Sequence, residues 1–370
     1  MSAEAVFAGV VGARFLVPLF IIRFPLPAIV ASLVLDGVDQ TIFQSMGYDP
    51  PGYQGYDKAM DVYYLAIAYL ATLRNWTSRG AFAIGRGLYF YRLVGVVAFE
   101  LSQWRPLLLI FPNTFEYFFI AYEALRLRWD PARLSTRTWA LVAAAIWVFV
   151  KLPQEWWIHI AQLDLTDEIA AHAWLLPTIV VGVLAVILAA WRLLPPRLGP
   201  PAWRLRVASD PLPEAVDEGR EQMAWVAAHA RVLSGATLEK ILLVGLISVV
   251  YAQVLPDLRS TSLQLFVGVS VFVVVNAALV ILVARTGRSV EATAAAFAIR
   301  LAVNVALALS AGWALGGAGG DTNVAAMLFF VLLLTLITTL HDRYLPVHEV
   351  RRSQQDLSTP RRSDIAWRDK

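Results

Sequence analysis

Carboxylates stand in this chain where a bilayer ordinarily forbids them. Asp36, Asp39, Asp57, Asp61, Glu100, Glu116 and Glu155 lie inside or at the ends of long apolar segments. An ionised side chain in hydrocarbon costs roughly 2.5 to over 10 kcal/mol, so a membrane protein keeps one only against a partner, an ion or a polar cavity. Asp36 and Asp39 are one helical turn apart, and Gln40 and Gln44 extend a polar stripe from Asp36. Asp57 and Asp61 form a second pair after the short connection 45–56. Four carboxylates brought together repel one another unless a cation joins them, and Mg²⁺ or Ca²⁺ prefers such oxygen ligands. The spacing therefore predicts a divalent-cation site at Asp36, Asp39, Asp57 and Asp61. Capping of a helix N-terminus is the alternative role for Asp57 and Asp61.

A second group is dense in polar residues among aromatics. Glu155 and His159 are four residues apart in Lys151–Gln162, and imidazole changes charge near neutral pH, so the pair suits proton handling. Gln162 shares their face if a helix restarts at Pro153. Glu116 is the deepest acid of its segment, near Asn113 and Glu123, and Glu100 lies two turns from Arg92. Glu155, His159, Glu100 and Glu116 are the expected catalytic groups. Glu123 is expected to pair with Arg86 or Arg92 across helices. No nucleotide-binding cofactor fingerprint or zinc-protease motif is present in the sequence.

The four aspartates resemble the metal-binding set of CDP-alcohol phosphotransferases. That family carries two Asp separated by two residues at one helix end, then two more separated by three at the start of the next helix. Asp36, Asp39, Asp57 and Asp61 match this spacing, including the gap between the pairs, over 26 residues. Where the family has Gly, Ala-Arg and Gly, this chain has Gln40, Phe43-Gln44 and Tyr53. Those glycines admit a nucleotide, so the resemblance implies a metal site by analogy and nothing of the CDP chemistry.

The elements that position these groups follow from composition. The chain is 58% hydrophobic and 16% charged, against about 25% charged in ordinary soluble domains. Its segments 174–190, 264–284 and 324–340 carry almost no charge, enough with modest extension to cross ~30 Å of hydrocarbon. The expected fold is all-α and polytopic, with about eleven transmembrane helices near 5–22, 25–44, 57–73, 81–102, 106–126, 137–152, 172–194, 238–256, 262–284, 292–314 and 323–342. Residues 5–44 form either two spans or a re-entrant hairpin. Arg14 interrupts the first apolar run.

Residues 1–195 are expected to form a polar seven-helix bundle with an outward acidic site. A loop, 196–236, follows with an amphipathic helix marked by Val216, Met223, Val226, Ala227, Ala230 and Leu233. Residues 237–342 form an apolar four-helix module suited to a protein partner or self-association, and 343–370 a disordered tail. Arg300 within that module needs a carboxylate or a carbonyl partner. Arginines concentrate in alternate loops, around 74–79, 126–137, 192–206 and 285–288 and in the tail. The positive-inside rule then sets the N-terminus outside and the C-terminus in the cytoplasm of a cell (inner) membrane.

Net charge of +3 is spread over these loops and gives no case for nucleic acid, and the absence of Cys removes thiolate catalysis. The lipid bilayer is the partner the composition requires. The leading expectation is a membrane-embedded enzyme acting at the outer leaflet on a lipid or lipid-linked substrate with a divalent cation. The alternatives are a cation- or proton-coupled transporter and a non-catalytic membrane partner protein.

Overall fold

A computed structural model describes residues 3–45, 53–161, 163, 168–169, 171–193, 198–254, 262–285, 298–305 and 324–358. They are helical, with no strand among them. Among the described residues five helices are long and apolar enough to cross a membrane, at Ala5–Ile22, Arg79–Ser102, Thr136–Ile160, Leu265–Leu282 and Leu328–Asp356. Their length and apolar composition are consistent with an α-helical membrane protein, and they coincide with five of the eleven crossings expected.

The chain divides into two compact units, Met1–Thr77 with Ser209–Lys370, and Ser78–Ala208. This cuts across the boundary expected at 196–236, because the N-terminal helices pack with the C-terminal ones. In the first unit α1 (Ala3–Leu16) continues through a 3₁₀ segment, Val17–Ile22, before α2 (Pro25–Ser45). The break leaves the Ile22 carbonyl without a helical partner. Arg74 (3.1 Å) and the Ser209 hydroxyl (2.5 Å) donate to it instead.

Helix α3 (Tyr53–Asn75) is apolar nearly all round in its second half, and residues 62–76 are buried. It packs against α10 (Gly235–Val254) and α13 (Val324–Ser358), with the Tyr251 hydroxyl donating to the Ala59 carbonyl at 3.1 Å. Helix α11 (Ser262–Arg285), a helical stretch α12 at 298–305 and α13 are joined by an amide chain. Asn276 donates to Asn304 at 3.2 Å, and Asn304 to Thr335 at 2.9 Å. Such side-chain bonds take the place of hydrophobic drive between helices in lipid.

Helix α13 runs on to Ser358, so the disorder expected from residue 343 is corrected for 343–358. The polar stretch is held because Val347 and Val350 pack with Val216, and Arg351 donates to the carbonyls of Arg74 and Pro211. The amphipathic helix of the long loop is α9 (Gly219–His229). Its Met223, Val226 and Ala227 meet Ile281 and Ala284 of α11.

The second unit holds α4 (Arg79–Ser102), α5 (Pro106–Ile110), α6 (Thr114–Arg126), α7 (Thr136–Ile160) and α8 (Leu175–Leu193). The crossing expected at 106–126 is broken at 111–113, where Pro112 has no N–H to carry the ladder. Gly95 lets this break lie on α4: a Cβ there would stand 2.1 Å from Phe111. In contrast α7 does not stop near 152. It continues through Pro153 by widening into π-helical turns at Trp147–Lys151 and Trp156–Ile160.

Candidate functional site

The four aspartates meet. Asp36 and Asp39 come from the later turns of α2, Asp57 and Asp61 from the first turns of α3, and between them stands the guanidinium of Arg14 from α1. Arg14 bonds Asp36 and Asp39, and reaches Asp57 at 2.7 Å and Asp61 at 3.0 Å. Carboxylate oxygens of Asp36, Asp57 and Asp61 lie within 4.8 Å of one another. Phe7 against Phe43 (5.5 Å between rings) and Phe15 stacked on Tyr63 (5.1 Å) hold α1 onto α2 and α3.

The cluster is closed at one end and open at the other. Asp39 is 0% exposed and Arg14 4%, whereas the side chains of Asp57 and Asp61 are 34% and 40% exposed. Among the described contacts the Arg14 guanidinium faces all four carboxylates, which repel one another when ionised. The side chains of Gln40 and Gln44 lie outside the described residues, as does the connection at 46–52.

Sequence reasoning found the four acids and missed Arg14 as their partner. The signal was available: an arginine inside an apolar run needs a carboxylate by the same rule that singled out the acids.

In the second unit Glu155 and His159 are paired at 3.0 Å. The helix does not restart at Pro153, as the spacing suggested. Glu155 ends the α-helical turn Leu152–Glu155 and His159 lies in the π-widened turn that follows, a distortion common at functional sites. Asn113 ties this pair to Glu116: its backbone N–H donates to Glu155 (3.2 Å) and its side-chain amide to Glu116 (2.9 Å). Lys151 is buried, donates to Gln154 (3.0 Å) and lies 4.3 Å from the centre of the Tyr117 ring. Arg92 donates to the Phe111 carbonyl at 2.9 Å. Glu100 is buried in the last turn of α4. Gln162 lies outside the described residues.

Glu123 has a local partner. Arg126, three residues on along α6, donates to it at 3.1 Å, since that spacing puts both on one helix face. Arg300 pairs with Asp342 at 2.7 Å, the carboxylate its burial required. The aspartates thus belong to one compact unit, and Glu100, Glu116, Glu155 and His159 to the other. No family model, curated protein or solved structure matches this chain.

Proposed function

We propose that the chain is a membrane-embedded enzyme that acts on a lipid or lipid-linked substrate and binds a divalent cation through Asp36, Asp39, Asp57 and Asp61. The observation that carries this reading is the convergence of the four carboxylates from two helices on one point. Two oxygens on opposite sides of a Ca²⁺ ion at ~2.4 Å are ~4.8 Å apart, and the Asp36, Asp57 and Asp61 oxygens lie within 4.8 Å of one another. The donor set is all oxygen and suits Mg²⁺ or Ca²⁺. A bound cation would replace the Arg14 guanidinium among the carboxylates and supply charge to polarise a phosphoryl or carbonyl group.

The lipid part of the reading is supported by the apolar character of the helices that carry the acids: on α2 Val30, Val34 and Val38 form an exposed apolar stripe on the face opposite Asp36. In this reading Glu155 and His159 handle protons, with Glu116 tied to Glu155 through Asn113 and Glu100 in the same compact unit. The fuller topology is eleven crossings with the N-terminus outside, which sets the acids at the outer leaflet.

A cation- or proton-coupled transporter is the second reading. The four-way bonding of Arg14 favours it, since a tethered guanidinium is a counter-ion that an incoming cation can displace. Purified protein in liposomes separates the two. The enzyme predicts Mg²⁺-dependent conversion of a membrane-lipid extract, read by mass spectrometry and abolished in Asp61→Asn. The transporter predicts uptake of radioactive Ca²⁺ or Mn²⁺ without lipid conversion.

A further inference from the structure

Where the second unit enters α7 it carries a surface of one sign. Two segments build it: 126–137, which leaves α6 and opens α7, and 198–208, which lies beyond α8. Backbone and side-chain bonds stitch the two together. The Arg126 carbonyl, left over at the end of α6, accepts from the Trp203 indole at 2.8 Å, and the Leu127 carbonyl accepts from the Arg206 N–H at 2.9 Å. The Ala202 N–H donates to the Arg128 carbonyl at 2.8 Å, and the Trp129 indole to that of Gly199 at 3.2 Å. Gly199 has a φ of 72°, a conformation that side chains rarely allow.

The stitched segments carry Arg128, Arg133, Arg137, Arg204 and Arg206 against a single acid, Asp130. Asp130 already accepts from the Ala132 N–H at 3.0 Å. Arg133 bonds the Pro200 carbonyl at 3.2 Å, and the Arg206 guanidinium lies 4.0 Å from the centre of the Trp203 ring. Arg128, Arg137 and Arg204 are exposed, and none is paired with a carboxylate among the described residues. Basic loops orient helices whatever their conformation. Here the arginines are held on a fixed framework, and a planar guanidinium recognises phosphate through paired N–H groups.

Two observations say which phosphate. Arg137 is in the first turn of Thr136–Ile160, one of the helices long and apolar enough to cross a membrane, so the surface stands at the level of headgroups. Leu205, between Arg204 and Arg206, is 63% exposed. A free anion would use the arginines and leave that leucine in water. A lipid uses both, with phosphate on the guanidiniums and chain carbons on the leucine.

We propose that this surface binds the headgroup of an anionic phospholipid, with Arg128 and Arg204 on the phosphate and Leu205 at the acyl boundary. It lies wholly in the unit that does not hold the four aspartates, and it requires neither the divalent cation nor the reaction proposed above.

The test is binding of fluorescent phosphatidylglycerol to the full chain in non-ionic detergent, with chelator present. The competitors are unlabelled phosphatidylglycerol, phosphatidylcholine with the same chains, and inorganic phosphate. Binding should saturate and be displaced by phosphatidylglycerol, roughly tenfold more weakly by phosphatidylcholine, and not by inorganic phosphate at equal concentration. Arg128→Gln and Arg204→Gln should each weaken it roughly fivefold and together roughly 25-fold. Arg285→Gln, at the end of α11 in the other unit, should leave it unchanged. On the unaltered chain the affinity should fall as salt rises from about 50 to about 500 mM, which reads the charge without any substitution. Equal displacement by phosphatidylcholine, displacement by inorganic phosphate, indifference to salt, or equal losses in Arg204→Gln and Arg285→Gln would each overturn the proposal.

Discussion

Arg14 and Asp39 form an ion pair shut off from solvent, at the closed end of a cluster whose other acids are partly exposed. Asp39 has 0% exposure and Arg14 supplies its positive partner, so the pair is the part of the site least able to lose a member. Removing one partner of a buried pair leaves an uncompensated charge and costs about 3–5 kcal/mol.

Arg14→Met should therefore lower the thermal stability of the detergent-purified protein by an amount of that order. Millimolar Ca²⁺ or Mg²⁺ should restore much of it, because a cation can take the place of the guanidinium. Thermal unfolding followed by tryptophan fluorescence, with and without the ion, checks both parts. Full stability of the variant in chelator would show that Arg14 does not neutralise the cluster.

Arg300→Met should impair folding or yield while leaving divalent-cation binding in the surviving protein unchanged. Arg300 shares the Asp342 carboxylate with Lys240 and makes no bond to the acidic cluster among its described contacts. Yield and Tm read the first part, and calorimetric titration with Mn²⁺ the second. Normal yield with lost binding would put α12 in the site.

Much of this arrangement was legible in the residues, for a physical reason. Charges in apolar runs are costly, so Asp36, Asp39, Asp57, Asp61 and Arg300 announce that they have partners. Spacing put the aspartates on facing helix turns. What the sequence did not disclose was which partners they take, because pairing between distant segments depends on tertiary packing. Arg14 is separated from Asp61 by 47 residues, and Arg300 from Asp342 by 42. Helix ends failed differently. Pro112 broke a helix while Pro153 was absorbed in widened turns, and local propensity does not distinguish these outcomes.

Gly95→Ala should destabilise the second unit by roughly 1–3 kcal/mol, the usual range for an overpacked contact. Its Cβ would meet Phe111 at 2.1 Å and push the 111–113 break off α4. That break presents Asn113 to Glu155 and Glu116, so the Glu155–His159 pair should loosen as well. Thermal unfolding together with hydrogen exchange of residues 111–116 reads this. An unchanged Tm and unchanged exchange would contradict it.

Arginine bias predicts that reporters fused after residues 210 and 365 report from the cytoplasm and one at residue 50 from outside. A cytoplasmic signal at 50 would move the acidic cluster to the inner leaflet. The outer-leaflet part of the functional proposal would then fail, while the cation site would stand.

The most direct test of the cation site is anomalous X-ray scattering from crystals of the full chain grown with Mn²⁺. The account predicts one manganese within about 2.0–2.6 Å of oxygens from Asp36, Asp57 and Asp61, with the Arg14 guanidinium displaced from among them. Arg14 still bonded to all four aspartates, with no manganese between them at saturating concentration, would contradict it.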